Sequence, residues 1–264
     1  MSKAERTRAI FITGAASGIG RATALHFASK GWLIGAADAN EEALARLVGD
    51  IGNRAIPLEL DVSDREAFGL AAMRFGAATG GCLDILFNNA GIGLAGGPFE
   101  QTRFEDVEKA IRVNLLGVMA GIHACFSLLK ATPNALCVNT SSASAIFGMP
   151  NIAVYSAGKG AVQTLTEALS IEFAEHDVRV ADILPGLVAT PLISSAAQSK
   201  HAGPFRVIQP EVIAEIVWEA YGSDRIHWYA PGDLEALAVE AASNPESIRK
   251  AIAAKPGAYA CLNR

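Results

Sequence analysis

The strongest constraint in this chain is an alternation that runs to about residue 190. Short β-branched or apolar runs lie at 9–13, 32–37, 55–60, 84–89, 135–140 and 179–184. Between them lie amphipathic stretches with helical spacing at 18–30, 41–50, 64–79, 102–130 and 154–176. Parallel strands must be joined by long crossovers, and a helix is the usual one. The apolar runs are continuous rather than alternating, as expected for strands covered on both faces. No linker or repeat divides the chain, so the pattern predicts a single doubly wound α/β domain over 1–264.

Beyond residue 190 the rhythm changes. The segment 190–209 is rich in small, apolar and turn residues, with Gly203 and Pro204 as hinge points, and reads as a loop that closes over a substrate. A helix from Pro210 to Tyr221 and a strand over 225–230 are expected next. The last part, 231–264, reads as a C-terminal helical extension packed on the surface. Asp233 is placed to cap its first helix, and Asn244 to cap its second, with Pro245 at the first helical position.

Charge and composition exclude several classes. The net charge is −5 with no Lys/Arg run, which argues against nucleic acid and anionic membrane surfaces. No apolar run approaches the ~20 residues of a membrane span, and no secretory leader is evident, so a cytoplasmic address is expected. Cys82, Cys125, Cys137 and Cys261 are scattered and read as reduced thiols. The five histidines, His201 among them, show no ligand spacing, and no metal is expected.

In an open parallel sheet, ligands gather at the carboxyl ends of the strands. After the first strand stands "TGAASGIGRATAL", in which Gly14, Gly18 and Gly20 allow a tight turn into a helix N-terminus. Taken alone this spacing also suits an ordinary strand-to-helix connection. Eighteen residues beyond Gly20, at the end of the second strand, stands Asp38, whose carboxylate can bind two ribose hydroxyls and repel a 2′-phosphate. The two features together point to dinucleotide binding. Farther on, "YSAGK" puts Tyr155 and Lys159 one helical turn apart. By itself the spacing favours an ordinary helical pair over a catalytic one.

The ordered set of motifs resembles the short-chain dehydrogenases/reductases over roughly residues 7–195. "TGAASGIG" matches that family's cofactor turn, "LDV" places Asp61 and Val62 at the adenine, and "NNAG" at 88–91 follows the fourth strand. "VNL" places Asn114 in the long helix, "NTSS" places Ser142 thirteen residues before Tyr155, and "PGLVAT" spans Pro185–Thr190. The resemblance implies a Rossmann-like domain with a seven-stranded parallel sheet flanked by helices. It implies NAD held by Gly14, Ser17, Gly18, Ile19, Gly20, Asp38, Asp61, Val62, Asn89, Ala90, Gly91, Tyr155, Lys159, Pro185, Gly186, Val188 and Thr190. It further implies catalysis by Asn114, Ser142, Tyr155 and Lys159.

In that scheme Tyr155 is the acid/base, and Lys159 with the cationic nicotinamide lowers its pKa. Lys159 also binds the ribose, Ser142 orients the substrate oxygen, and Asn114 relays protons through a water. Ala157, Gly158 and Gly160 are expected to leave room for close packing. The substrate is expected to be a secondary alcohol or ketone, hydrophobic or aromatic, in a pocket drawn from Ile92, Leu94, Ser144, Ile146, Met149, Leu187, Leu192, Ile193 and Phe205. No carboxylate-binding arginine is evident in the 190–209 loop. The rival readings are an NADPH-dependent oxoacyl-thioester or ketone reductase and a non-catalytic dinucleotide sensor. Surplus apolar residues on the helices at 102–130 and 154–176 (Val118, Met119, Ile122, Phe126; Val162, Leu165, Leu169, Phe173) suggest a homotetramer or a dimer, as in the family.

Overall fold

The computed structural model describes residues 6–93, 96–193 and 205–254. Leu94, His201, Gly203, Pro204 and Cys261, the middle of the 190–209 segment and the last part of the extension lie outside the described residues.

Seven strands form one sheet: β1 Ala9–Thr13, β2 Leu33–Asp38, β3 Ala55–Glu59, β4 Ile85–Asn88, β5 Ala135–Thr140, β6 Val178–Pro185 and β7 His227–Ala230. They pair in parallel in the order β3-β2-β1-β4-β5-β6-β7. The order reverses between β1 and β4, which opens a crevice at their carboxyl ends.

The helices lie on both faces. One core layer packs α1 (Gly18–Ser29), α2 (Glu41–Ile51) and α7 (Pro210–Ala220) on the sheet through Phe27, Leu44, Leu47, Ile213 and Val217. The other packs α3 (Arg65–Thr79), α5 (Gly117–Lys130) and α6 (Ala153–Glu172) through Phe68, Phe75, Val118, Ile122 and Val162. Between α3 and α5, α4 covers Phe104–Ile111; α8 (Leu234–Ser243) and α9 (Pro245–Ala253) close the described chain. The central β1 and β5 are buried at every position. The edge strands β3 and β7 are only partly covered, because an edge has a neighbour on one side alone.

Gly35 of β2 shows how the layers lock. A Cβ there would lie 2.6 Å from Cδ2 of Phe75, so the ring occupies the space a side chain would need. Phe75 in turn meets Phe11 edge-on at 5.3 Å between centroids.

Three local expectations change. The stretch 102–130 is not one regular helix: a π-helical turn over Arg112–Leu116 separates α4 from α5. By length and composition, Phe104–Lys130 is apolar enough to cross a membrane, contrary to the sequence expectation. Its inner side, with Val118, Ile122, Cys125 and Leu129, is packed in the core. Asp233 caps nothing with its side chain; both carboxylate oxygens accept from Arg206 instead, at 2.9 and 2.7 Å. Asn244 does cap α9, its Oδ1 accepting from Ser247 N. Cys125 and Cys137 are buried free thiols, and burial pushes the Cys125 thiol up to about 12.

Polar groups tie the far end of the sheet. The buried Asp84 carboxylate accepts both arms of Arg6 at 2.8 Å, the Ala9 amide and the Tyr221 hydroxyl. Arg179 donates to the carbonyls of Ala220, Tyr221 and Ser223 at the end of α7 and to that of Asn134. On β6 and β7, fully buried Asp182 meets Nδ1 of His227 at 2.8 Å, while Nε2 lies 3.4 Å from Glu167.

The Asp182 hydrogen bond raises the His227 pKa above its ordinary 6.5, and burial raises that of Asp182, so the folded pair holds its proton to higher pH than the unfolded chain. A raised folded pKa adds stability that is full below the unfolded value and lost as pH rises through the folded one. His227→Gln is therefore expected to lower Tm more at about pH 5.5 than at about pH 8.5. Equal deficits at the two pH values in thermal melts would contradict this.

Candidate active site

The turn after β1 is built by steric necessity. Gly14 has φ +64 and Gly18 φ +48, backbone regions that an L side chain rarely adopts. A Cβ on Gly20 would lie 2.0 Å from the Gly14 carbonyl oxygen, so no side chain fits there without moving the turn. A Cβ on Gly18 would meet the Thr190 methyl at 2.9 Å, which places the end of the β6 segment directly over the turn. Ile19 faces inward and packs on the core.

The N-terminus of α1 differs from those of its neighbours. Helices α2 and α3 are capped by the side chains of Asn40 and Asp64, and both carry acidic residues in their first turns. Ser17, at the same place on α1, makes no capping bond, and no acid stands in that first turn. Its free amides and positive dipole end suit a phosphate. Asp38 leaves β2 beside this turn: Oδ2 accepts from Ala16 N and Oδ1 from Asn40 N, both at 2.9 Å. The donor set, the glycine cradle and the carboxylate beside it fit a dinucleotide's pyrophosphate and adenosine ribose.

The end of β4 completes the crevice. The Thr13 hydroxyl accepts from the amides of Asn89 and Ala90 at 2.9 and 3.0 Å, and Asn89 Nδ2 donates to the Thr13 carbonyl. A Cβ on Gly91 would stand 3.1 Å from Asn114 Oδ1 and 3.5 Å from Lys159 Nζ. Asn114, in the π turn, clamps the next peptide, accepting from Ile92 N and donating to Ile92 O at 2.8 and 2.9 Å.

Val62 is buried against Gly117, whereas Asp61 is exposed and accepts from both donors of Ser63. Pro185 ends β6, the Gly186 amide donates to Ala230 O at 2.7 Å, and Val188 bridges to Ile208.

Tyr155 and Lys159 lie on one face of α6, both essentially buried, with Lys159 Nζ 5.8 Å from the tyrosine ring centroid. Lys159 Nζ donates to Thr140 O at 2.7 Å, and its own carbonyl accepts from Ser141 Oγ, so strand β5 holds the amine. Ser142 hydrogen-bonds Tyr155 and accepts from Ser144 N and Oγ, each at 3.1 Å.

The fold alone does not lower the Tyr155 pKa. Burial pushes the Tyr155 pKa up to about 12 against the smaller lowering effect of the Ser142 hydrogen bond, rather than down. Burial likewise pushes the Lys159 pKa down to about 8. The fold alone desolvates both groups, and desolvation disfavours whichever form is charged.

Two of the residues expected to form the pocket line a common groove. Ser144 and Met149 line a groove of about 600 Å³ between the 144–150 segment, the start of α6 and α9. Ile92, Ile146, Leu187, Leu192, Ile193 and Phe205 are not among the residues that line it, and Gly160 has open space where close packing was expected. A Cβ on Gly158 would meet Asn114 and Ile111 only at 3.8 Å, ordinary contact.

The groove also takes Arg249, Ile252 and Ala253 from α9, which sequence reasoning missed. No motif marks them, because the contact depends on how the extension folds back. Missed too was a buried polar ladder in which Asn88 Nδ2 donates to Asn139 Oδ1 and Asn139 Nδ2 donates to Thr166 Oγ, both at 2.9 Å.

Comparison with known proteins agrees with this architecture. The short chain dehydrogenase family model matches residues 8–201. The chain is 34% identical over 223 residues to a cyclohexanol dehydrogenase of Acinetobacter sp. (strain SE19), a match covering 82% of this chain and 88% of that protein. It is also 34% identical over 226 residues to a cis-4-hydroxycyclohexanecarboxylate dehydrogenase of Sinomonas cyclohexanicum, covering 82% and 90%. Among solved structures, a short chain dehydrogenase/reductase from Burkholderia phymatum in complex with NAD superposes with TM-score 0.79 at 28% identity, covering 91% of this chain and 95% of that one. A matched family model over most of the chain, two relatives above 30% identity and a shared seven-stranded fold leave one assignment: the chain belongs to the short-chain dehydrogenase/reductase family.

Proposed function

We propose that the protein is an NAD-dependent oxidoreductase that interconverts a ring-bearing secondary alcohol and its ketone. The observation that carries this reading is the set of buried Tyr155 and Lys159 with half-buried Ser142, together with the uncapped N-terminus of α1. The relatives named for cyclohexanol and for hydroxycyclohexanecarboxylate support a cyclic alcohol.

Gly14, Ser17, Gly18, Ile19 and Gly20 would hold the pyrophosphate, and Asp38 the adenosine ribose. Asp61 and Val62 would flank the adenine. Asn89, Ala90 and Gly91 would line the crevice floor, and Pro185, Gly186, Val188 and Thr190 its nicotinamide end. When bound, the dinucleotide supplies the hydride acceptor or donor.

The remaining work falls to the chain's own residues. Ser142 Oγ hydrogen-bonds the substrate oxygen and fixes it beside the Tyr155 hydroxyl. Tyr155 moves the proton of that oxygen. With its pKa pushed up to about 12, the phenol keeps its proton at neutral pH and is set to donate it, the direction of ketone reduction. For alcohol oxidation it must become phenolate, which needs a cation near the ring. Lys159, still mostly protonated below its value of about 8, is the cation α6 provides. Asn114 keeps the Ile92 peptide in place, and the π turn it sits in displaces the regular helical bonding where a water relay would enter.

The chain is further proposed to self-associate as a homotetramer, with a dimer as fallback, through the outer faces of α4, α5 and α6. One face of these helices covers the sheet, as expected, and the rest is the surplus. Val118, Ile122 and Val162 are spent in the core, and Phe126 packs on Phe173 at 4.5 Å. Phe104, Leu116, Met119 and Ile171 are the large apolar side chains left exposed on these elements.

Three measurements test the reading. Tyr155→Phe keeps the ring and removes the hydroxyl, so turnover of cyclohexanol should fall by about 10²–10⁴-fold while NADH binding, read by fluorescence, persists; turnover within tenfold of the parent would exclude Tyr155 as the proton carrier. Asp38→Ala should shift kcat/KM toward NADP+ by at least about tenfold, since like charges at a few ångströms repel; an unchanged ratio would remove Asp38 as selector. Light scattering at micromolar concentration should give a tetrameric or dimeric mass, and a monomer would refute assembly.

A further inference from the structure

Among the described residues, no carboxylate is ion-paired with the charged side chain that lines the groove beside Ser144. Of the side chains lining it, most are apolar or small, among them Phe147, Met149 and Ile252. The two serines are engaged: Ser144 Oγ donates to Ser142 Oγ at 3.1 Å, and Ser156 Oγ accepts from Met149 N at 3.2 Å. Arg249 is the one charged residue in the lining, and no acid lines the groove with it. Arg6, Arg21, Arg46, Arg103, Arg206 and Arg225 each have a carboxylate partner within the chain. Arg249, among the described residues, has none. Arg249 is an exposed residue of the groove's lining. Ser144, which lines the groove, donates to Ser142 of the proposed reacting centre, so the two are adjacent although Ser142, Tyr155 and Lys159 do not themselves line it.

We propose that this groove is the outer arm of the substrate site, and that Arg249 receives a carboxylate on the substrate at the end remote from the carbinol. The enzyme then turns over ring alcohols bearing an acid group in preference to neutral ones. This rests on the role given above to Ser142 and Tyr155. A volume of about 600 Å³ exceeds what a single six-membered ring needs and lies in the ordinary range for small-molecule sites. A planar guanidinium matches a carboxylate in two parallel hydrogen bonds. The apolar walls bury the ring while the charge is met at the rim. Arg249 is in this scheme a specificity residue, brought to the site by the fold of α9 rather than by any motif of the family's catalytic segment.

The test separates binding from turnover. Calorimetric titration with cyclohexanecarboxylate, which has no reacting hydroxyl, and with the neutral cyclohexanecarboxamide is made on the parent, Arg249→Gln and Lys250→Gln. Lys250 is the adjacent residue, carries the same charge and does not line the groove. The parent should bind the carboxylate about tenfold more tightly than the amide, Arg249→Gln should erase that difference, and Lys250→Gln should keep it. In turnover, Arg249→Gln should raise KM for 4-hydroxycyclohexanecarboxylate about tenfold, while Lys250→Gln should leave the constants for that substrate and for cyclohexanol unchanged. A preference that survives Arg249→Gln, that is lost equally in Lys250→Gln, or that the parent lacks would overturn the assignment. If the titrations follow the expected pattern while neither alcohol is turned over, the carboxylate site stands and the proposed reaction fails.

Discussion

Thr13 lies at the carboxyl end of β1, where its hydroxyl accepts two successive amides from the chain leaving β4. That small clasp joins the two strands between which the sheet order reverses. A polar side chain buried there must be satisfied, and the amides of Asn89 and Ala90 do so. With Asn89 answering back to the Thr13 carbonyl, the Gly14 turn and the Gly91 crevice floor are held as one rigid piece. Everything that faces a ligand hangs from it: the open end of α1, Asp38 through the Ala16 amide, and Lys159 through its position across from Gly91.

A second layer of polar order runs beneath the site. Asn88, Asn139 and Thr166 form a ladder from β4 through β5 to α6, in a core otherwise made of aromatic and branched apolar residues. Such groups are costly unless paired, and once paired they fix one arrangement of helix against sheet. The rotational setting of α6 decides where Tyr155 and Lys159 point. The same helix receives a bond at its backbone from the residue just after β5, from Ser141 Oγ to the Lys159 carbonyl.

How much of this was legible follows from the physics of each signal. Strand and helix positions could be read because local periodicity encodes them; β1, β5 and α3 begin or end within a residue of their expected places. The cofactor turn could be read because φ above zero and close backbone approach demand glycine. The acid–base behaviour of Tyr155 could not, because it depends on burial, a property of the whole packed molecule. Asp233 was misread for a related reason: its local position favours capping, but a distant arginine, Arg206, competes for the same oxygens. Arg249 carries no local signal, since its place beside Ser144 is created only when the extension folds back.

The gap at Gly35, filled by the Phe75 ring, bears on how this sheet can vary over evolutionary time. A methyl on β2 would strike the ring, and a smaller residue on α3 would leave a void beneath the glycine. Each change alone is penalised, by overpacking or by a cavity, whereas a matched exchange restores the volume. The two positions, forty residues apart in the chain, therefore act as a single heritable unit, and drift at either one waits on the other.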